Sequence, residues 1–192
     1  MEQGYRKIFW GYVISIFDFN LWNINILPDF IGYFIIGSGV YKLYEEFNDK
    51  NFKTANSLAN FLMCYSLIMS IVNYGISSNS LGVGLYDHPY KKFIDLFLLI
   101  FASSVTLIMS FNILSGTTAL YLKKEQINEA LSLEKTQKNY TILNITGMIL
   151  FSVSINISHG YFAALVAVYM IIAALYFVKT ISKISKTIIS TN

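Results

Sequence analysis

Residues 23–39 read NINILPDFIGYFIIGSG and place a proline and a carboxylate, Pro28 and Asp29, inside an apolar run. Proline is favoured in the first turn of a helix, where its missing N–H has no partner to lose. An acidic side chain in that turn faces the positive end of the helix dipole. The stretch therefore predicts a helix that begins at Pro28-Asp29, after a tight turn over residues 23–27.

The composition around this stretch is that of a membrane protein. Of the 192 residues, 55% are hydrophobic and 13% are charged, whereas a soluble domain carries about 25% charged residues. The charges are grouped between long apolar runs, as in a polytopic membrane protein. At this length we expect one membrane domain over residues 1–192. The net charge of +3 indicates orientation in the bilayer and no nucleic-acid partner, since the lysines occupy short loops and the C-terminal tail.

The apolar runs predict an all-α bundle of six spans arranged as three hairpins. A helix rises 1.5 Å per residue, so about 20 residues cross the roughly 30 Å of hydrocarbon. The predicted spans cover residues 7–27, 28–44, 57–75, 93–115, 141–158 and 161–178. Residues 45–56 and 76–90 are predicted loops, and the charged residues 116–140 are a predicted helical continuation of the fourth span. The alternative is a re-entrant N-terminal hairpin with four full spans.

The distribution of basic residues predicts the orientation. Cytoplasmic loops carry an excess of lysine and arginine. With the N-terminus inside, the outer segments contain only Lys91 and Lys92. The inner segments then hold all the others: Arg6, Lys7, Lys42, Lys50, Lys53, Lys123, Lys124, Lys135, Lys138, Lys179, Lys183 and Lys186. Both termini are therefore predicted to be cytoplasmic.

Asp18 is the ionisable residue that lies deepest in a predicted span. A carboxylate at that depth must be neutral, paired or in contact with water, because its charge costs several kcal/mol in hydrocarbon. Ser15, Asp18, Trp22 and Asn25 would share one face of a helix. Two interpretations follow: a proton- or cation-responsive site, or a protonated acid that hydrogen-bonds between helices.

Other polar residues form stripes along the predicted spans. Asp95 follows Lys91 by four residues, as in an interfacial ion pair, and Ser103, Thr106 and Ser110 extend its face. The candidate ligand or ion path comprises Asp18, Asn25, Asp95, Ser103, Ser70, Asn73, Asn156 and His159. Small hydroxyl residues also serve helix packing in lipid, so each stripe has that second interpretation. Gly32 and Gly39, seven residues apart, predict a close-packing seam.

No catalytic, metal or cofactor site is predicted. The sequence contains no Ser–His–Asp spacing, H-E-x-x-H motif, nucleophile elbow or P-loop. Asp87, His88 and His159 are too few for a confident ligand set. Cys64 is the only cysteine, so no intramolecular disulfide can form, and its apolar surroundings predict an inert buried thiol.

The N-terminal segment resembles a known group of proteins. IFWG at residues 8–11, Asp18-Phe19 and ILPDFIGY at residues 26–33 are similar to the N-terminal signature of uncharacterised small multipass membrane proteins of low-GC Gram-positive bacteria. The resemblance covers residues 7–43. It implies a location in the bacterial plasma membrane and assigns no activity to any residue.

These observations favour a non-enzymatic membrane protein. The expected role is an accessory, sensor or self-protection (immunity-like) subunit that binds another membrane protein, or a second copy of itself, within the bilayer. The alternative is a small transporter or channel with Asp18 in a polar path. An intramembrane enzyme would require a nucleophile and a base brought together only by the fold.

Overall fold

A computed structural model describes residues 1–16, 20–21, 24–25, 29–77, 91–156 and 160–190. Six helices make up nearly all of this part of the chain, which confirms the all-α class. They are α1 (Glu2–Ile16), α2 (Asp29–Phe47), α3 (Lys50–Ser77), α4 (Lys91–Lys123), α5 (Ile127–Asn156) and α6 (Gly160–Ser190). Two short strands, β1 (Asn20–Leu21) and β2 (Ile24–Asn25), lie between α1 and α2.

The first predicted span, residues 7–27, is wrong as a single helix. α1 ends at Ile16, and β1 and β2 pair antiparallel with Asn20 opposite Asn25. Asparagine competes with helical hydrogen bonding through its own side chain, and residues 20–25 contain three asparagines. Ser15, in α1, and Asn25, in β2, therefore do not share a helical face, and Asp18 and Trp22 lie outside the described residues. α2 begins at Asp29, which confirms the predicted helix start.

The predicted loop over residues 45–56 is also wrong, because only Asn48 and Asp49 separate α2 from α3. Asn48 has φ 49°, a left-handed conformation that asparagine tolerates better than most residues. Its N–H donates to the Tyr44 carbonyl at 2.7 Å. The Asp49 carboxylate then accepts from the Asn51 N–H at 2.8 Å, which caps the start of α3. These two residues make the turn without glycine or proline.

Residues 116–140 do not continue α4 as one helix. α4 ends at Lys123, and α5 begins at Ile127 and runs without interruption to Asn156. Glu125 has φ 59°, and the Gln126 N–H donates to the Tyr121 carbonyl at 2.9 Å. The charged half of α5 is therefore continuous with the predicted fifth span. Likewise, α6 extends past residue 178 to Ser190.

The six helices form a closed ring in which each helix packs against its neighbours in the chain and α6 packs against α1. Contacts between neighbouring helices show that the neighbours are antiparallel, because residue numbers fall along one helix as those of their partners rise along the next. Such pairs are Phe52 with Gly116 and Tyr65 with Leu98, then Gln137 with Ser115 and Tyr140 with Ser110, and Tyr140 with Phe177 and Leu143 with Tyr169. One end of the bundle consequently holds Met1, the α2–α3 turn, the α4–α5 turn and the end of α6. We call it the termini end.

Four glycines bring the backbones of α1 and α2 into contact. A Cβ on Gly39 would lie 2.6 Å from the Gly4 carbonyl oxygen, and a Cβ on Gly11 would lie 2.7 Å from the Gly32 carbonyl oxygen. Gly4 and Gly11 are seven residues apart, as are Gly32 and Gly39, so the antiparallel helices meet at two levels. We call these four residues the glycine seam. Close backbone approach through small residues is typical of helix packing in lipid.

The outer surface of the bundle is strongly apolar. Phe34 is 61% exposed, Ile71 64%, Phe97 68% and Leu165 68%. Water-soluble monomers rarely expose contiguous apolar patches of more than a few hundred Å². Among the described residues, three helical segments are long and apolar enough to cross a membrane: Lys50–Val72, Leu96–Lys123 and Tyr161–Thr187. The structure thus supports a helical membrane protein. The described helices that meet the length and composition criterion for a span are fewer than the six predicted. Cys64 is exposed on α3, so the prediction of a buried thiol is wrong.

Candidate functional site: tyrosine hydroxyls around α4

A row of hydroxyl groups on α4 faces the interior of the bundle. Thr106, Ser110 and Thr117 each donate their hydroxyl hydrogen to the carbonyl four residues earlier, at 2.8–2.9 Å. A hydroxyl that donates in this way still has two oxygen lone pairs. α4 therefore presents a row of hydrogen-bond acceptors to the helices packed around it.

Tyrosines from three other helices use these acceptors. Tyr5 of α1 lies 2.8 Å from Thr117 Oγ1, and Tyr33 of α2 lies 3.3 Å from Thr106 Oγ1. Because the threonine hydrogens are already donated to the backbone, each tyrosine must be the donor. The result is a relay from tyrosine hydroxyl to threonine oxygen to main-chain carbonyl, repeated along α4.

Ser110 is the centre of this arrangement. Its Oγ lies 2.5 Å from the Tyr12 hydroxyl and accepts from the Tyr140 hydroxyl at 3.4 Å. With its own hydrogen donated to the Thr106 carbonyl, Ser110 uses its full capacity of one donor and two acceptors. Ser110 is fully buried, and both tyrosines are at most 5% exposed.

α6 joins the same cluster through an aromatic ring. The Phe177 ring centroid lies 4.5 Å from that of Tyr12 and 5.0 Å from that of Tyr140, in tilted geometry. Tilted and offset aromatic pairs add to the free energy gained from burial. Ser110, Tyr12, Tyr140 and Phe177 thus tie together α4, α1, α5 and α6. We call these four residues the Ser110 node.

The spacing of the hydroxyl groups explains why the helices lie in register. Tyr5 and Tyr12 are seven residues apart on α1, and Ser110 and Thr117 are seven apart on α4. Since α1 and α4 are antiparallel, both pairs can form at once, two helical turns apart. Gln137 adds a bond between α5 and α4, donating to Ser115 Oγ at 2.8 Å.

The chemistry of the Ser110 node indicates a structural and positioning role. Its groups are hydroxyls and an aromatic ring, all neutral near pH 7. Each of these hydroxyls is held in place by its hydrogen bonds. The node fixes the relative positions of α1, α4, α5 and α6.

The structure describes only some of the residues of the predicted ligand or ion path. Asp18 and His159 lie outside the described residues, as do Asp87 and His88. Asn25 belongs to β2, Asn73 to α3, Asp95 to α4 and Asn156 to α5, but their side chains are not among those described. Ser70 and Ser103 are half-buried. Because Tyr65 contacts Leu98, Ser70 lies level with the first turns of α4, about 15 Å along the axis from Ser103. The structure does not bring these two serines together.

Sequence reasoning identified Thr106 and Ser110 but missed their partners. Tyrosine was counted with the apolar residues, although its hydroxyl requires a partner when it is buried. The signal was the shared seven-residue spacing of Tyr5 and Tyr12 and of Ser110 and Thr117. Gly32 and Gly39 were identified as a seam, whereas Gly4 and Gly11, with the same spacing, were missed.

Comparisons with known protein families, with curated proteins and with solved structures give no match to this chain.

Proposed function

We propose that α3, α4, α5 and α6 cross a membrane. α3, α4 and α6 have the required length and apolar composition. α5 is more polar, but it packs antiparallel between α4, which ends at the termini end, and α6, which begins at the opposite end. A chain that crosses in α4 and again in α6 must return through α5.

The N-terminal hairpin fits this arrangement as an insertion from the termini end. α1 has 15 residues and is about 22 Å long, which is less than the hydrocarbon thickness. Tyr12 contacts Ser110 and Tyr33 contacts Thr106, so the inner ends of α1 and α2 lie near Thr106. α4 continues for about 15 residues beyond that level. The proposed arrangement is therefore four spans with α1 and α2 as a re-entrant hairpin. In an arrangement with six spans, residues 17–28 would have to complete the crossing of the membrane that α1 and α2 begin.

The orientation rests on the basic residues. All of them except Lys91 and Lys92 lie on the halves of the helices that point toward the termini end or, for Lys124, in the turn at that end. The positive-inside rule favours that end as the cytoplasmic one. We propose the bacterial plasma membrane as the location, as residues 7–43 led us to expect.

Within this frame, the chain acts by binding a partner in the membrane and not by catalysis. The observation that carries the proposal is the Ser110 node, which ties four helices together within a largely apolar core and leaves the apolar outer faces for interaction. A body held together in this way, with an external contact surface, suits an accessory, sensor or self-protection subunit. The partner is another membrane protein or a second copy of this chain.

Site-specific photo-crosslinking in intact membranes tests this proposal. A photoreactive amino acid is placed singly at Phe34, Phe97, Ile149 and Leu165, which are exposed on α2, α4, α5 and α6. We expect a discrete protein adduct, identified by mass spectrometry, from one face only. Phe52, which is fully buried, is the matched control and should give no adduct between chains.

The transporter alternative gives the opposite pattern. If lipid is the only adduct at all four faces, and if liposomes containing the purified chain conduct protons or cations in a manner abolished by Asp18→Asn, partner binding is refuted. The partner-binding account expects flux equal to that of empty liposomes with either sequence.

A further inference from the structure

A cleft of about 720 Å³ opens between the first turns of α5 and the last turns of α6. α5 contributes Asn128, Ser132 and Thr136, spaced four residues apart along one face. Opposite them, α6 contributes Lys179, Lys183 and Lys186. The cleft thus places a row of polar side chains against a row of ammonium groups.

The positive charge in the cleft is largely uncompensated. Within the described residues, no carboxylate lies within 4.0 Å of any of these three ammonium groups. Glu129 is the only acid among the described residues that line the cleft, so these residues carry a net charge of about +2 near pH 7. The N-terminus of α5, which is the positive end of its helix dipole, lies at the same cleft and also favours an anion.

The depth of the cleft indicates which anion would reach it. α6 has 31 residues and is about 46 Å long, so a roughly 30 Å hydrocarbon core that begins at the start of α6 ends near Lys179, and Lys183 and Lys186 lie beyond it. Tyr176, the lining residue of α6 nearest the middle of the bundle, is aromatic, and the lysines follow it toward the termini end. An aromatic ring followed by basic groups is the order expected at a membrane–water interface.

We propose that this cleft binds the phosphate of an anionic lipid headgroup, with Lys179, Lys183 and Lys186 as the charged contacts. The inference rests on the proposed crossing of the membrane by α5 and α6, because that crossing sets the cleft at headgroup depth. It goes beyond general attraction of a basic tail to the bilayer, since a cleft between two helices holds an individual lipid.

Native mass spectrometry of the full chain in detergent tests the site. Phosphatidylglycerol and phosphatidylcholine are added separately, and the lipid retained per chain is measured. We expect phosphatidylglycerol to be retained in preference. The variant Lys179→Gln/Lys183→Gln/Lys186→Gln should weaken that retention by about 100-fold, at about fivefold per lysine near an anionic lipid.

The matched control removes the same charge elsewhere at the termini end. Lys50→Gln/Lys53→Gln/Lys123→Gln alters three exposed lysines outside the cleft and should leave phosphatidylglycerol retention unchanged. Equal losses in the two triple variants, or no loss in the cleft variant, would overturn the site. If excess inorganic phosphate displaces the lipid, the cleft is a site for free phosphate, and the proposal that it binds a lipid headgroup is overturned.

Failure of the site can be separated from failure of the membrane arrangement. The membrane insertion of α6 is measured on the same variants by protease protection in vesicles. If α6 is protected but phosphatidylglycerol is not retained, only the lipid site is refuted. If α6 is not protected, the proposed crossing itself is wrong.

Discussion

Replacing Gly39 with alanine is expected to disrupt the packing of α1 on α2 and to destabilise the protein by about 2 kcal/mol. The new Cβ would lie 2.6 Å from the Gly4 carbonyl oxygen and 3.0 Å from the Ile8 backbone nitrogen. Both are main-chain atoms, so neither can move aside without shifting α1. For a chain of this length, the loss corresponds to a fall of about 6 °C in the heat-unfolding midpoint, measured in detergent by aggregation or intrinsic fluorescence.

Gly37→Ala is the control for this experiment. Gly37 lies on the same helix two residues away, but its Cβ would meet the Asn60 side-chain oxygen at 3.2 Å and the Ala59 methyl at 3.5 Å. The amide of Asn60 can rotate, and both substitutions gain the same helix propensity. Equal midpoints for the two variants would show that the glycine seam does not bring the backbones together.

Replacing Ser110 with alanine is expected to cost about 2–4 kcal/mol, because two buried tyrosine hydroxyls lose their acceptor at once. A buried donor left without a partner costs about 1–3 kcal/mol. Tyr12 and Tyr140 both lie in the tightly packed interior, where Phe177 covers their rings. The free energy of unfolding, followed by denaturant titration in detergent, should fall accordingly.

Two further variants separate the hydrogen bonds from the packing. Ser104→Ala, on the same helix, removes a half-buried hydroxyl whose bond at 2.8 Å runs to the Ile100 carbonyl of its own helix, and it should be nearly neutral. Adding Tyr12→Phe and Tyr140→Phe to Ser110→Ala should restore much of the lost stability, because no unpaired hydroxyl remains. If the triple variant is less stable than Ser110→Ala alone, the hydroxyls are not the source of the effect.

Residue patterns predicted the fold class and several helix boundaries. The start of α2 at Asp29 followed from local rules for the first turn of a helix, which depend on neighbouring residues only. Apolar length identified α3, α4 and α6, since burial in lipid requires a continuous apolar run. Each of these features depends on a short stretch of neighbouring residues, which is why it can be predicted from the sequence.

The features that sequence reasoning missed depend on contacts between distant segments or on unusual backbone conformations. Asn48 and Glu125 adopt left-handed φ values at the two short turns, and no glycine or proline marks either turn. Tyr12 and Ser110, which pair with each other, are 98 positions apart. Within its own helix Tyr12 fits an apolar position and Ser110 fits a polar one, so neither residue indicates that it needs the other. The end of α1 at Ile16 was hidden by an apolar run that continues past it.

The most direct test of the account is the accessibility of single cysteines along α6, in a Cys64→Ser background. Tyr161→Cys, Ile172→Cys and Lys186→Cys are probed with a membrane-impermeant maleimide in intact and permeabilised bacterial cells. The account predicts labelling of Tyr161→Cys in intact cells, labelling of Lys186→Cys only after permeabilisation, and protection of Ile172→Cys in both. Free labelling of Ile172→Cys, or labelling of both ends from the same side, would contradict a bundle that crosses the membrane with its termini in the cytoplasm.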